Sequence, residues 1–94
     1  MALDMQPVQS VAIIGAGNMG SGIAQKTAQE EFDVQMVDRE AQWVERGQSI
    51  IADFLSEAVE RRIFSPQQVE DIQGRITGVI GTENIAPDTD LVIE

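Results

Sequence analysis

The segment Gly15-Ala16-Gly17-Asn18-Met19-Gly20 follows an apolar run, Val11-Ala12-Ile13-Ile14, and a second apolar run closes on Asp38, eighteen residues beyond the last glycine. A bare G-x-G-x-x-G hexamer is a weak signal. Here it stands between a strand pattern and a helix pattern, with a second strand and an acid at the right distance, and that context points to a βαβ unit that holds a dinucleotide, the bland alternatives being a structural turn without a ligand and a strand-ending turn acid. Gly15 permits the tight turn out of the first strand, Gly17 leaves room for a pyrophosphate against the backbone, and Gly20 lets the helix pack close to the strand. The helix that starts there offers unpaired N–H groups and the positive end of its dipole to phosphates. A basic residue is therefore not needed in the loop, and none is present.

Asp38, at the end of the second strand, is placed to accept hydrogen bonds from the adenosine ribose hydroxyls and to repel a 2′-phosphate, which favours NAD over NADP. Arg39 pulls the other way, since an arginine beside this acid can accommodate a 2′-phosphate; it can equally stack on adenine or lie solvated. The candidate cofactor-binding residues are Gly15, Ala16, Gly17, Asn18, Met19, Gly20, Asp38 and Arg39, and the expected cofactor is NAD.

Ninety-four residues make one small domain, burying about two-thirds of its unfolded surface. Six basic against sixteen acidic residues give a formal charge of −10, which argues against nucleic acid and anionic membranes as partners. NAD is also an anion, so its binding must rest on local dipoles at the glycine loop. No apolar run approaches the roughly 20 residues that span a bilayer, and Met1 to Pro7 does not read as a signal peptide. With no cysteine there is no thiolate chemistry, and a cytoplasmic location fits. With no histidine, imidazole metal sites and histidine acid–base catalysis are excluded for this chain, and no catalytic or metal-ligating residue is singled out in it.

Along the chain, residues 1 to 8 read as a flexible lead and Gln9 to Ile14 as a strand. Met19, Ile23, Ala24 and Ala28 fall at helical spacing in a helix from Asn18 to near Glu30, and Phe32 to Val37 is a strand apolar enough to be buried on both faces. From Ala41 to Phe64, Trp43, Val44, Gly47, Ile50, Ile51, Phe54, Leu55, Ala58, Val59 and Ile63 recur every three or four residues. They predict one amphipathic helix about 34 Å long, more than a βαβ crossover usually needs. Ser65-Pro66-Gln67-Gln68 combines an N-cap serine, a proline at the first helical position and a glutamine three residues after the cap. A short helix follows, with Val69 and Ile72 inward and Gly74 as its stop. Arg75 to Ile80 is a third strand, Gly81 to Asp90 a connection, and Leu91 to Glu94 the start of a fourth strand. Right-handed crossovers then give an α/β, Rossmann-type doubly wound parallel sheet of order 3-2-1-4, partial in extent, with one long helix after its second strand. Residues 9–94 are expected to be the N-terminal part of a longer polypeptide, with an exposed sheet edge.

The segments VAIIGAGNMGSGIAQ from Val11, VQMVD ending at Asp38, ERRI from Glu60 and DLVIE at the end match in order and spacing those of one family. The chain resembles the N-terminal NAD-binding domain of the 3-hydroxyacyl-CoA dehydrogenases, which oxidise the 3-hydroxyl of acyl-CoA thioesters to the 3-oxo form in β-oxidation and related pathways. The resemblance covers nearly everything after Ser10, and the long helix with DLVIE is more selective than the glycine motif. It implies the cofactor loop and Asp38 as above, an acyl-CoA substrate, a homodimer for the full-length enzyme, and a long helix that projects to contact CoA. The family's serine and lysine on that helix fall at Phe54 and Arg61. Phe54 supplies no hydroxyl, whereas Arg61 keeps a cation for a CoA phosphate; an exposed-face arginine is the plainer reading. The family's usual glycine is replaced by Glu31, so the junction Glu30-Glu31-Phe32 is expected to be more strained or differently turned. The catalytic histidine and its orienting glutamate have no counterpart before Glu94, and the chain alone is expected to be inactive.

Two other functions share the glycine loop. Imine and β-hydroxyacid reductases use it, many with NADP, but generally lack the long helix. A non-catalytic nucleotide-binding module would also carry it, and the lack of histidine is compatible with that.

Overall fold

The computed structural model describes residues 8–94, so the lead expected over residues 1 to 8 falls, Val8 aside, outside the described residues. Four parallel strands form one sheet, β1 (Ser10–Ile14), β2 (Asp33–Asp38), β3 (Ile76–Ile80) and β4 (Leu91–Ile93), in the order β3-β2-β1-β4. The connections are α1 (Asn18–Gln29), α2 (Ala41–Glu60), α3 (Pro66–Gly74) and, before β4, a 3₁₀ turn at Thr82–Asn84. This is the sheet order expected from strand–helix alternation, with β1 at the centre beside β2 and β4.

Alternation along β1 and β2 sends Val11, Ile13, Val34 and Met36 into one core with Ala24 and Ala28 of α1, Ile51 and Leu55 of α2, and Ile72 of α3. Leu55 is fully buried, a contribution of about 1.5–3 kcal/mol by area alone. On the opposite face, Ala12 and Val37 are buried as well. There Gln35 ties the approach to β4 onto β2: its amide nitrogen donates to Thr89 Oγ1 at 2.7 Å, and its amide oxygen accepts from the Ala86 N–H at 2.8 Å. β4 forms an edge of the sheet on which Leu91 and Val92 are exposed.

The inward face of α1 differs from the apolar periodicity. Met19 and Ile23 are exposed, and the buried face is Ser21, Ala24, Gln25 and Ala28. The helix lies so close to the end of β1 that a Cβ on Gly20 would fall on the Gly15 carbonyl; only small side chains fit beneath the first turns, and the large ones are turned outward. On α2 the buried stripe is Val44, Gly47, Ile51, Leu55 and Ala58. Trp43, Phe54 and Ile63 are exposed, so the apolar face is narrower than the ten recurring residues imply.

The long helix is also shorter than expected, ending at Glu60 rather than Phe64, at about 30 Å. Its buried residues run from Val44 to Ala58, so α2 lies along the domain for most of its length instead of projecting from it. Arg62 takes a left-handed conformation, φ 59°, and the N–H groups of Arg62 and Ile63 donate to the carbonyls of Val59 and Ala58 at 3.0 and 2.8 Å. α1 ends in the same way: Glu31 has φ 72°, and the Glu31 and Phe32 N–H groups reach the Ala28 and Thr27 carbonyls. The left-handed residue frees two main-chain donors for carbonyls that the helix end would leave unpaired. Arg75 adds a third link, its Nη1 donating to the Ala28 carbonyl at 3.0 Å.

The capping box of α3 forms as its sequence predicts, with the Gln68 N–H donating to Ser65 Oγ at 3.1 Å and the Ser65 N–H to Gln68 Oε1 at 2.7 Å. Gly74 is not a left-handed stop. It is the last helical residue, and Arg75 caps the helix in a right-handed conformation. At the amino end of the sheet, Asp90 Oδ2 accepts the N–H groups of Gln9 and Ser10 at 2.9 and 3.0 Å. These bonds, Gln9 first, hold the Asp90 carboxyl below its ordinary value. A depressed carboxylate contributes stability that is complete above its unfolded value and is lost as pH falls through the folded one.

Glu31→Gly removes a Cβ from a left-handed position without touching a packed side chain. It should stabilise the fold by about 0.5–1 kcal/mol in urea unfolding; a loss of stability would mean that the Glu31 side chain itself supports the helix end.

Candidate functional site

Parallel strands bring the carboxyl ends of β1, β2 and β3 to one edge of the sheet, and the residues that follow them meet there. Gly15 leaves β1 with φ +110°, a conformation that an L side chain rarely adopts, and its N–H donates to the Val37 carbonyl at 2.7 Å. Gly17 is the N-cap of α1 and has no side chain to accept from the first-turn N–H groups. No acidic residue stands in that turn, so nothing offsets the helix dipole there. Its dihedral angles, φ −73° and ψ −168°, are open to any residue, and a Cβ would meet no protein atom within 4 Å. Neither strain nor packing inside the chain requires a glycine at this point. A ligand approaching the helix N-terminus would.

Gly47 closes the loop from the other side. A Cβ there would lie 2.6 Å from the Ala16 carbonyl oxygen and 2.9 Å from Met36 Cε, so α2 passes against the loop at a backbone-to-backbone distance. Sequence periodicity assigned Gly47 to the apolar stripe; its role is this close approach.

Asp38 joins the loop to the second strand. Its Oδ2 accepts the Ala16 N–H at 3.0 Å, its Oδ1 accepts the Arg39 N–H at 2.7 Å, and its carbonyl accepts the Gly81 N–H at 2.8 Å. Each carboxylate oxygen keeps a lone pair for a further donor such as a ribose hydroxyl. Beside it lies an open cleft of about 530 Å³, walled by Gly15 and Asp38 and by Arg39, Thr82 and Glu83. A bare helix N-terminus, an empty space in front of Gly17 and an acid on an adjoining cleft fit the pyrophosphate and adenosine of a dinucleotide.

Of the residues singled out in the sequence, Gly15, Ala16, Gly17, Asn18, Met19, Gly20, Asp38 and Arg39 therefore sit together, Met19 with most of its surface exposed. Arg61 does not join them. It lies just past the end of α2, the full length of that helix from Asp38, and its Nη2 pairs with Glu57 Oε1 at 2.6 Å. It shares a small hollow of about 80 Å³ with Phe54 and Ile63. Gly81, Thr82 and Glu83, which in the sequence mark no more than a connection, line the cleft. The signal that could have found them is topological: a third parallel strand beside the second must end at the same edge.

Among the described residues no helix is long and apolar enough to cross a membrane, and no group of three or more acidic, histidine or cysteine side chains could hold a metal.

Residues 10–94 match the family described as 3-hydroxyacyl-CoA dehydrogenase, NAD binding domain. A probable 3-hydroxybutyryl-CoA dehydrogenase from Deinococcus radiodurans is 38% identical over 82 residues, which cover 87% of this chain and 29% of the relative. A probable 3-hydroxyacyl-CoA dehydrogenase from Caenorhabditis elegans is 31% identical over 94 residues, covering 96% of this chain and 32% of the relative. Among solved structures, the (S)-3-hydroxybutyryl-CoA dehydrogenase from Ralstonia eutropha superposes with a TM-score of 0.86 at 30% identity, over 92% of this chain and 30% of that one. The chain thus spans about a third of the length of these relatives.

Two glycines of the loop should separate folding from binding. Gly17→Ala should leave the unfolding midpoint nearly unchanged and weaken dinucleotide binding by about tenfold or more, because the added methyl enters ligand space only. Gly20→Ala should cost about 1–3 kcal/mol of stability, because its methyl collides with the Gly15 carbonyl. Calorimetric titration and thermal unfolding of both variants check the pair, and equal effects on stability would contradict it.

Proposed function

The chain belongs to the 3-hydroxyacyl-CoA dehydrogenase family as an NAD-binding domain, and on that premise we propose that it positions NAD for hydride transfer from the 3-hydroxyl carbon of an acyl-CoA. The observation that carries this reading is Gly17, a side-chain-free N-cap facing open space at the start of α1. The first-turn N–H groups of α1 would hold the pyrophosphate, and Asp38 the adenosine ribose. When bound, NAD supplies the hydride acceptor; the chain's own residues bind and orient it. The chain has no histidine, so the base that takes the hydroxyl proton would come from sequence outside these 94 residues.

NAD rather than NADP is the coenzyme of this reading because Asp38 presents a carboxylate where a 2′-phosphate would lie. Arg61 is the residue proposed to meet a phosphate of CoA; its support is the alignment with the family and its exposed guanidinium. Assembly as a homodimer belongs to the same proposal by family resemblance, and residence in the cytoplasm is compatible with it.

In the intact protein, NAD should bind at least about tenfold more tightly than NADP, and Asp38→Ala should narrow that gap. Oxidation of NADH that depends on acetoacetyl-CoA tests the reaction itself: activity with an imine or a short β-keto acid instead would transfer the chain to a different class of reductase. Arg61→Ala should raise KM for the acyl-CoA by about threefold and leave KM for NAD unchanged. An unchanged acyl-CoA KM would reduce Arg61 to its surface pair with Glu57.

A further inference from the structure

We propose that Glu83 is a second determinant of coenzyme selectivity, acting with Asp38 against a 2′-phosphate and cancelling the attraction of Arg39. The inference rests on the reading of the cleft beside Asp38 as the adenosine subsite.

The residues that place Glu83 are local and specific. β2 and β3 run in register with Asp38 opposite Ile80, and the Gly81 N–H donates to the Asp38 carbonyl, so the chain emerges from β3 directly beside Asp38. Gly81 then turns it with φ +85°. The 3₁₀ turn that follows is fixed by the Asn84 N–H on the Gly81 carbonyl at 3.1 Å and by Asn84 Nδ2 on the Ile80 carbonyl at 2.7 Å. This turn folds the Glu83 side chain back over Gly81, where its carboxylate occupies the space that a Cβ on residue 81 would need. Gly81 is favoured by its conformation, and its lack of a side chain leaves the carboxylate room to lie at the cleft wall.

The charges around the cleft decide the consequence. Asp38 and Arg39 alone would leave the wall neutral, with a guanidinium that no salt bridge among the described residues engages and that a 2′-phosphate can pair with. Glu83 lines the same cleft and among the described residues takes part in neither salt bridge, so the wall carries one net negative charge. A phosphate monoester brings about −1.5 to −2 charges to that wall, whereas the 2′-hydroxyl of NAD brings none. Glu83 should therefore act on NADP and leave NAD nearly untouched.

Dissociation constants for NAD and NADP, measured by titration of the intact protein at low ionic strength, test this in wild type, Glu83→Gln, Glu83→Gln with Arg39→Gln, and Glu70→Gln. Glu70 lies on α3, away from the cleft, and controls for overall charge. Glu83→Gln should tighten NADP by about fivefold and change NAD by less than about twofold, with the gain shrinking as salt is added. Removing Arg39 as well should abolish the gain. An unchanged NADP affinity in Glu83→Gln, or an equal gain in Glu70→Gln, overturns the role of Glu83 while leaving NAD binding intact. Failure of wild type to bind NAD would instead overturn the reading of the cleft, and the inference with it.

Discussion

The contact on which the rest of this domain depends is the one between Gly20 and the carbonyl of Gly15, where the backbone of α1 meets the backbone leaving β1 with no side chain between them. Because the two approach so closely, the first turns of α1 can bury only Ser21 and Ala24, and Met19 and Ile23 are left facing outward. The same loop is pressed from its far side by α2 at Gly47. Three backbone segments thus converge without intervening side chains, and the N-terminus of α1 is held rigidly at the edge of the sheet. A rigid array of N–H groups loses little freedom when an anion docks on it, which is how a chain of net charge −10 can bind an anionic cofactor without a lysine or arginine in the loop.

Asp38 extends that arrangement sideways. Its carboxylate accepts from the glycine loop and from Arg39, and its carbonyl accepts from Gly81, so the ends of β1, β2 and β3 are linked through one residue. The acid is positioned by the scaffold before any ribose arrives. Its environment then depends on the turn after β3, which brings a second carboxylate to the same wall. On the proposed reading of the cleft, selectivity for a coenzyme would be set at two strand ends.

Much of the fold was legible because the residues that mark it act locally. Ser65, Pro66 and Gln68 make a capping box within four residues, and it forms as read. β1 and β2 bury residues on both faces and carry apolar runs that mark them to within a residue of their bounds, and β3, at the sheet edge, is bounded as closely by Gly74 and Gly81. The far end of α2 was less legible, since Arg61 to Phe64 continues the apolar spacing; the helix stops because Arg62 turns left-handed and Ile63 reaches back to the Ala58 carbonyl. No residue type announces that turn, as a glycine would have done. At Glu31 the missing glycine was itself the signal, and the strained conformation is present.

The sequence by itself determined the sheet order, through strand–helix alternation with right-handed crossovers, and the glycine loop and the acid at the end of β2, through spacing along one βαβ unit. Tertiary structure alone decided which apolar residues of α1 and α2 are buried, that Gly47 is a contact and not a stripe position, that Arg61 stands a helix length from the cleft, and that Glu83 lines it. Each of these depends on the distance between segments far apart in the chain, set by how closely two backbones can approach, and no local pattern of residues encodes that distance.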